Sequence, residues 1–461
     1  MISSKSLTNL KAGIIVLFIL SYLVKAFFPM EFFPYFMGIL VVLFFCISFG
    51  DLKPLNRYLI VVLMICSGFF IWLGPDGFHW SQAIIENAGF VTLVLTVPML
   101  GTILYFAPYE TVLLSFASRF IKTSFVYYVI VMGLVAFLCS LMSLAAVPFI
   151  YQLLKPIAGK YPEELLYKAL TRGFVINLFW APNLVSVAIV MQFVHVSWQN
   201  LAMVGVGFSV LVFAAACVLG KYEILHYEQS PVFIKNDEDT TDDVVTDPDG
   251  NRYMLLLLVQ VGLILTTVVG LTHFAHTSNF VTVGIIALIL PLVIAAPLGK
   301  TEIYRQRLDY YLFNILPGMG NEFMLFLTIG FFGYALGKLP AIALLQTQMG
   351  IFVQYGADLL ALSIIIVIGA AAMIGVHPII TISLIAIALG KINTGLSDMQ
   401  LAIALITGYI IYLLLSPIST MVMITSGLSG KNVYKMGLKL NGRYALILTV
   451  LILGVLHIWH N

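Results

Sequence analysis

The chain has 461 residues, of which 61% are hydrophobic and 10% charged, with a mean hydropathy of +1.04. A soluble domain is nearer half apolar with about a quarter charged, so a soluble globular protein is excluded and an all-α integral membrane protein is predicted. The net charge of +2 gives no reason to expect a nucleic-acid partner; the lipid bilayer is the expected surrounding.

The first apolar run, 12–28, follows Lys5 and Lys11 and lacks a small-residue cleavage site, which predicts a retained helix. Further runs fall at 34–50, 58–74, 84–108, 126–154, 171–195, 199–220, 253–274, 279–298, 322–342, 358–390, 398–426 and 443–458. Cys46, Cys66, Cys139 and Cys217 all lie in apolar runs without metal-ligand spacing and read as core residues. The segment 236–250 holds seven of the 21 acids and reads as a solvated linker. This divides the chain into an extra N-terminal helix (1–33), a first membrane repeat (34–220), an acidic cytoplasmic linker (221–252) and a second, inverted repeat (253–461).

The repeat rests on two pairings. The stretch 173-GFVINLFWAPNLVSVAIVM-191 matches 408-GYIIYLLLSPISTMVMITS-426, with Gly nine residues before Pro in each, and 147-VPFI-150 matches 377-HPII-380. The offsets, 235 and 230, are nearly equal and the order is the same, which chance alone rarely gives. Counting Lys and Arg by side separates two topologies. With thirteen crossings the count is 11 inside and 12 outside; with 84–108 and 322–342 as re-entrant hairpins, eleven crossings remain and it becomes 19 and four. Membrane proteins keep Lys and Arg cytoplasmic, so about 11 transmembrane helices plus two hairpins, with a cytoplasmic N-terminus, is the expectation. Arg119 and Lys122 then fall outside, a residual conflict.

Pro148, Pro182, Pro378 and Pro417 lie inside apolar runs at repeat-related positions. Each removes a backbone donor and crowds the preceding turn. They predict broken helices, whose freed amides and carbonyls must be satisfied inside the protein or in a wet cavity. Around them lie Ser143, Asn177, Asn183, Ser186, Thr381, Ser416, Ser419 and Thr420, groups that recap a broken helix, ligate Na⁺ or hydrogen-bond a polar solute. His377 stands in the middle of an apolar run, where an ionisable group is a functional candidate by default. Asn87 opens the segment 84–108, and Asn321 and Glu322 open the segment 322–342. Glu322 suits a cation or a helix N-terminus. No phosphate loop, His-Glu-x-x-His motif or nucleophile elbow is present in the sequence, and no organic cofactor or bound metal is expected.

Two inverted halves, each with a re-entrant hairpin and a helix broken at a small-Pro or Asn/Ser-rich point, resemble the ion transporter superfamily, over roughly residues 34–458. The Ser-Asn-Thr hairpin-tip motif of its dicarboxylate branch is absent; Thr92, Thr96 and Pro98 stand in the first segment and Thr328, Gly330 and Gly333 in the second. The resemblance implies a secondary transporter of a small polar solute, foremost an organic anion, coupled to H⁺ or Na⁺, in the cytoplasmic membrane and as a homodimer. A Na⁺/H⁺ antiporter using Glu322 and His377, and a membrane-embedded enzyme or lipid-handling factor of envelope synthesis, are the alternatives.

Overall fold

The computed structural model describes residues 4–74, 77–194, 196–228, 250–274, 278–339, 356–389, 392 and 394–460. The described residues form helices and no strands. Ten helices among them are long and apolar enough to cross a membrane, and Asn279–Ala295, Ala357–Met373 and Pro378–Leu389 are shorter apolar helices. The protein is an all-α integral membrane protein. Its acidic linker lies largely outside the described residues.

Two compact units interleave along the chain. One comprises Met1–Phe106, Leu263–Gln354 and Ser383–Asn393; the other Ala107–Gly262, Tyr355–Ile382 and Thr394–Asn461. The first unit contains α1 (Ser4–Phe27), α2 (Phe32–Ser48), α3 (Pro54–Leu73), α4 (Trp80–Ile84) and α5 (Ala88–Thr96). The second contains α6 (Tyr109–Phe120), α7 (Ser124–Met142), α8 (Ala146–Ala158), α9 (Glu163–Val175), α10 (Val185–Phe193) and α11 (Trp198–Glu228). After the linker, α12 (Gly250–Phe274) passes from the second unit to the first, which also holds α13 (Asn279–Ala295), α14 (Thr301–Tyr310) and α15 (Gly320–Gly337). Then α16 (Ala357–Met373), α18 (Asp398–Leu415), α19 (Thr420–Ser429) and α20 (Leu440–His460) belong to the second unit, and α17 (Pro378–Leu389) is shared.

The segments expected as hairpins are single crossings. Within the first unit, α15 runs alongside α3 in the same direction. At one end Asn321 Oδ1 accepts the Lys53 N–H at 2.8 Å, just before α3 begins. At the other, Tyr334 and Lys338 face Phe70 and Gly74, where α3 ends. Eighteen helical residues cover about 27 Å, a bilayer core. The run Trp80–Tyr105 likewise starts against the far end of α15, with Trp80 stacked on Phe331 at 5.8 Å. It ends with Tyr105 under Arg307, 3.3 Å from the ring centroid, beside α14. Pro98 does not turn this run back. It converts α to 3₁₀ geometry over Val97–Tyr105, the tighter form that a missing N–H permits.

The reversals are elsewhere, both in the second unit. Tyr127 at the start of α7 and Tyr161 just after α8 stack at 4.3 Å and 10°, so α7 and α8 return to one end. Ser143 makes the turn with φ 51°, in the left-handed region. Its later counterpart lies between α16 and α17, where Gly375 has φ 99°. There Ser416 at the end of α18 bonds back to Ala372 of α16, so α18 finishes at this tip. Its first residue, Asp398, is about 27 Å away along the helix axis. Asp398 follows Leu389 by nine positions, which span at most about 32 Å. Only a returning α17 closes that distance. A sequence count of charges fixes how many crossings to remove; it does not say which helix pair folds back.

Candidate functional site

All four expected breaks occur, and all lie in the second unit. Pro182 and Pro417 occupy the non-helical turns between α9 and α10 and between α18 and α19. Pro378 is the first residue of α17, where a missing N–H costs nothing. Pro148 is displaced from its break. It sits in the first turn of α8, and Ser143–Ala145 carries the interruption.

The polar residues recap the freed carbonyls. Asn183 Nδ2 donates to the Cys139 carbonyl of α7 at 3.1 Å. Ser416 Oγ donates to the Ala372 carbonyl of α16 at 2.7 Å. Both bonds join residues 44 apart. Each ties a broken span to the arm of its hairpin that leads to the tip, and both partners shift by 233 residues, two fewer than the 235 between Pro182 and Pro417, so the bonds match in place rather than residue for residue. Ser186 Oγ donates to Leu178 O at 2.8 Å, and Ser419 Oγ to Leu413 O at 2.9 Å. Ser419 also caps α19 by accepting the Val422 N–H at 3.1 Å. Asn177 donates to the Ala136 carbonyl. Buried amides and hydroxyls left unpaired cost about 1–3 kcal/mol each, which explains why these residue types stand here.

Around the breaks two of the candidate residues keep a buried acceptor. Asn183 Oδ1 and Thr381 Oγ1 have no hydrogen-bond partner among the described residues, although Asn183 and Thr381 are only 5% and 6% exposed. His377 caps α17: its Nδ1 accepts the Ile379 N–H at 3.4 Å, which assigns the neutral-ring proton to Nε2. The imidazole lies 5.9 Å from the ring of Tyr412, whose phenol in turn meets Thr420. Tyr412 is a neighbour that sequence reasoning missed; its signal was only its place one turn before Ser416. The turn after α9, Ile176–Phe179, and α10 both pack on α18, which joins the breaks of the two halves inside one unit.

Asn87, Asn321 and Glu322 belong to the first unit and are not part of this group. Asn87 is fully buried between α4 and α5 and donates to Phe326 O of α15 at 3.0 Å. Gly330 permits that approach, since a Cβ there would lie 2.7 Å from Asn87 Cγ. Asn321 ties α15 to α3, and Glu322 is an acid in the first turn of α15, at the positive end of its dipole.

A charged cluster lies apart from the breaks. Arg172 is fully buried, its Nη1 and Nη2 each 3.0 Å from a Glu223 carboxylate oxygen of α11. It also donates to the Tyr128 hydroxyl and Leu440 O, and lies over the Tyr444 ring. Lys168 joins Glu223 at 3.2 Å. This group clasps α7, α9, α11 and α20 together rather than anchoring at a surface.

These features define a polytopic membrane protein with paired hairpins and paired broken spans. The overall fold is similar to those of solved membrane transporters. The chain is similar to the YdaH transporter of Alcanivorax borkumensis, with a TM-score of 0.59, 15% identity, and coverage of 88% of this chain and 97% of that one. It is also similar to MtrF of Neisseria gonorrhoeae, a structure reported to illuminate a class of antimetabolite efflux pumps, with a TM-score of 0.56, 12% identity, and coverage of 88% and 94%. No protein-family model matches the sequence, and no curated protein sequence does.

Proposed function

We propose that this chain is a secondary active transporter of a small polar solute, with an organic anion as the favoured class, coupled to H⁺ or Na⁺. The observation that carries the reading is the matched pair of bonds, Asn183 to Cys139 and Ser416 to Ala372. They support an inverted repeat in which each broken span is pinned to a hairpin tip. Lys431 pairs with Glu163, so α19 ends where α7 and α8 open, and α16 opens at the other end, where Asp358 meets His457 of α20. The first hairpin thus enters from one face and the second from the opposite face.

With the N-terminus inside, this topology keeps eleven crossings and leaves Lys25, Lys338 and Lys391 as the outside cations among 23, with twenty inside. Arg119 and Lys122 become cytoplasmic, which removes the conflict of the earlier hairpin assignment and strengthens the charge bias. It supports the cytoplasmic membrane and a cytoplasmic N-terminus. The resemblance to the ion transporter superfamily rests on the same architecture, and homodimer assembly on that resemblance.

In the proposed mechanism, α8, α10, α17 and α19 all begin at breaks, so their N-termini bring positive potential to bear on an anion without a buried cation. The free oxygens of Asn183 and Thr381 supply acceptors for Na⁺ or for a solute N–H or O–H. His377 places its imidazole 5.9 Å from the Tyr412 ring. The likeness to an efflux-pump structure makes export a direction to test alongside uptake.

The test is thermal shift of the purified protein against organic and inorganic anions, nucleosides and amino acids, with Na⁺ or K⁺ at two pH values, followed by flux in proteoliposomes. A ligand that binds only the folded state raises the melting temperature. The proposal expects a solute whose shift depends on Na⁺ or pH and is lost in Asn183→Ala. Stabilisation by Na⁺ and pH alone, with Na⁺-driven proton movement, supports the antiporter instead. Silence to every solute and ion, with turnover of a lipid-linked substrate, supports the enzyme reading.

A further inference from the structure

We propose that the first compact unit binds an anionic phospholipid, with an acyl chain in an apolar groove and the phosphate beside Lys338. The groove has a volume of about 360 Å³, in the range of small-molecule sites, and runs along α2, α3, α4 and α15. Val41, Phe45, Met64, Leu327 and Phe331 line it. Thr328 also lines it, yet its hydroxyl is turned to Met324 O at 2.8 Å, so the residue offers a methyl group. The groove therefore has almost nothing with which to hold a polar solute.

A second cavity of about 140 Å³ lies at the ends of α3 and α15 and is mixed in character, with His79, Tyr334 and Lys338 among apolar neighbours such as Phe70, Ile71 and Phe78. That is room for a phosphate-sized group, at about 30 Å³ per displaced water. One aromatic wall separates the two spaces. Phe78 of the smaller cavity meets Trp80 of the groove at 5.0 Å, and Phe331 of the groove meets Phe78 at 6.1 Å. Phe69 and Trp72 extend the aromatic belt at the end of α3, as at a membrane–water interface. Lys338 follows the last residue of α15 and lies over the Tyr334 ring.

The charged side chain lining this cavity is that of Lys338. Glu86, within electrostatic range of Lys338, is shared with Lys25, which leaves part of the Lys338 charge for an anion. His79 adds a ring nitrogen. An amphiphile with one anionic head and an apolar chain fits both spaces at once; a free anion fits only the smaller.

The experiment uses the full chain purified in mild detergent, incubated with phosphatidylglycerol or phosphatidylcholine of matched chains and read by native mass spectrometry. The proposal expects phosphatidylglycerol to be retained preferentially. Lys338→Gln should lower that retention about three- to five-fold, the order of one exposed charge contact, without changing phosphatidylcholine. Leu327→Trp, which fills the groove, should lower both lipids. Lys53→Gln should leave retention as in the unaltered chain. Equal retention of the two lipids, or no change in Lys338→Gln, overturns the proposal. So does equal protection by glycerol phosphate alone, which would mark a site for a soluble anion. Melting curves of each variant separate lost binding from lost folding.

Discussion

The two halves build the same corner from opposite chemistry. In the first, α9 meets α11 through the buried Arg172–Glu223 pair. By the 235-residue offset that sets Gly173 on Gly408 and Pro182 on Pro417, Arg172 corresponds to Thr407 on α18, which is buried, donates to Ile403 O at 2.7 Å and lies on a helix that packs on α20. A charged residue therefore stands where its repeat mate is uncharged. The threonine satisfies its hydroxyl within its own helix, whereas a buried pair must first repay the desolvation of two charges. The shared geometry thus does not require charge; something particular to the first half does. Lys168 and the Tyr128 hydroxyl on the same cluster show how many groups that corner has to satisfy.

The comparison fails outright if the halves are not inverted, so topology gives the largest effect, an all-or-none one. In a chain freed of its native cysteines, Lys122→Cys should react with an impermeant thiol reagent only from the cytoplasmic face, and Lys338→Cys only from the other. Labelling of both from the cytoplasmic face would mean thirteen crossings and remove the basis for equating the two corners, whereas labelling with the two faces exchanged would restore hairpins at 84–108 and 322–342.

Next in size is the ion pair itself. Arg172→Leu leaves Glu223 buried with only Lys168, and should cost about 3–5 kcal/mol in thermal or denaturant unfolding. The sharper test is Arg172→Leu combined with Glu223→Leu and Lys168→Leu, which makes the corner uncharged. Recovery to near the unaltered stability would show that the charges are not needed for folding, and flux through that variant would then show whether they serve transport.

The hairpin bonds come third. Asn183→Ala and Ser416→Ala each strip a donor from a buried carbonyl, and each should cost about 1–2 kcal/mol. Equal losses would support equivalence. The functional effects should differ, because Asn183 also holds a free Oδ1 and Ser416 has no second polar atom. Asn183→Ala should weaken solute or Na⁺ binding at least ten-fold, and Ser416→Ala by much less, both read by thermal shift at graded ligand concentrations.

Much of this was legible in the residues, for identifiable reasons. Proline removes a backbone donor, and Pro182, Pro378 and Pro417 marked their breaks directly, although Pro291 lies inside the unbroken α13. Pro148 marked only the neighbourhood, because the first turn of α8 tolerates it and the reversal fell to Ser143, a residue type with no such signature. The hairpins were assigned to 84–108 and 322–342 because apolarity and charge counts do not distinguish a helix that crosses from one that returns. That distinction lies in contacts such as Tyr127 on Tyr161, between residues 34 apart in sequence. Asn87 and Asn321 stood out because polarity in an apolar run is rare; their partners, Phe326 O and the Lys53 N–H, are backbone and leave no sequence trace, and Asn87 keeps an Oδ1 without a partner among the described residues.

The smallest effect tests the tips. Ser143 holds φ 51°, strained for a residue with a Cβ, whereas the second tip uses Gly375 at φ 99°. If both tips serve only to turn the chain, Ser143→Gly should stabilise by about 1 kcal/mol or less, strain relief offset by the entropy of glycine. Gly375→Ala should cost about 1–2 kcal/mol for its backbone angle alone, since no atom lies within 4 Å of its added Cβ. Ser143 makes a different case if its hydroxyl contacts the cargo. Ser143→Gly would then gain stability and lose flux together, and Ser143→Ala would lose flux with the strain still in place. A gain in stability with unchanged flux in Ser143→Gly would reduce the first tip to a turn, and leave the asymmetry between the halves to His377 and Asn183.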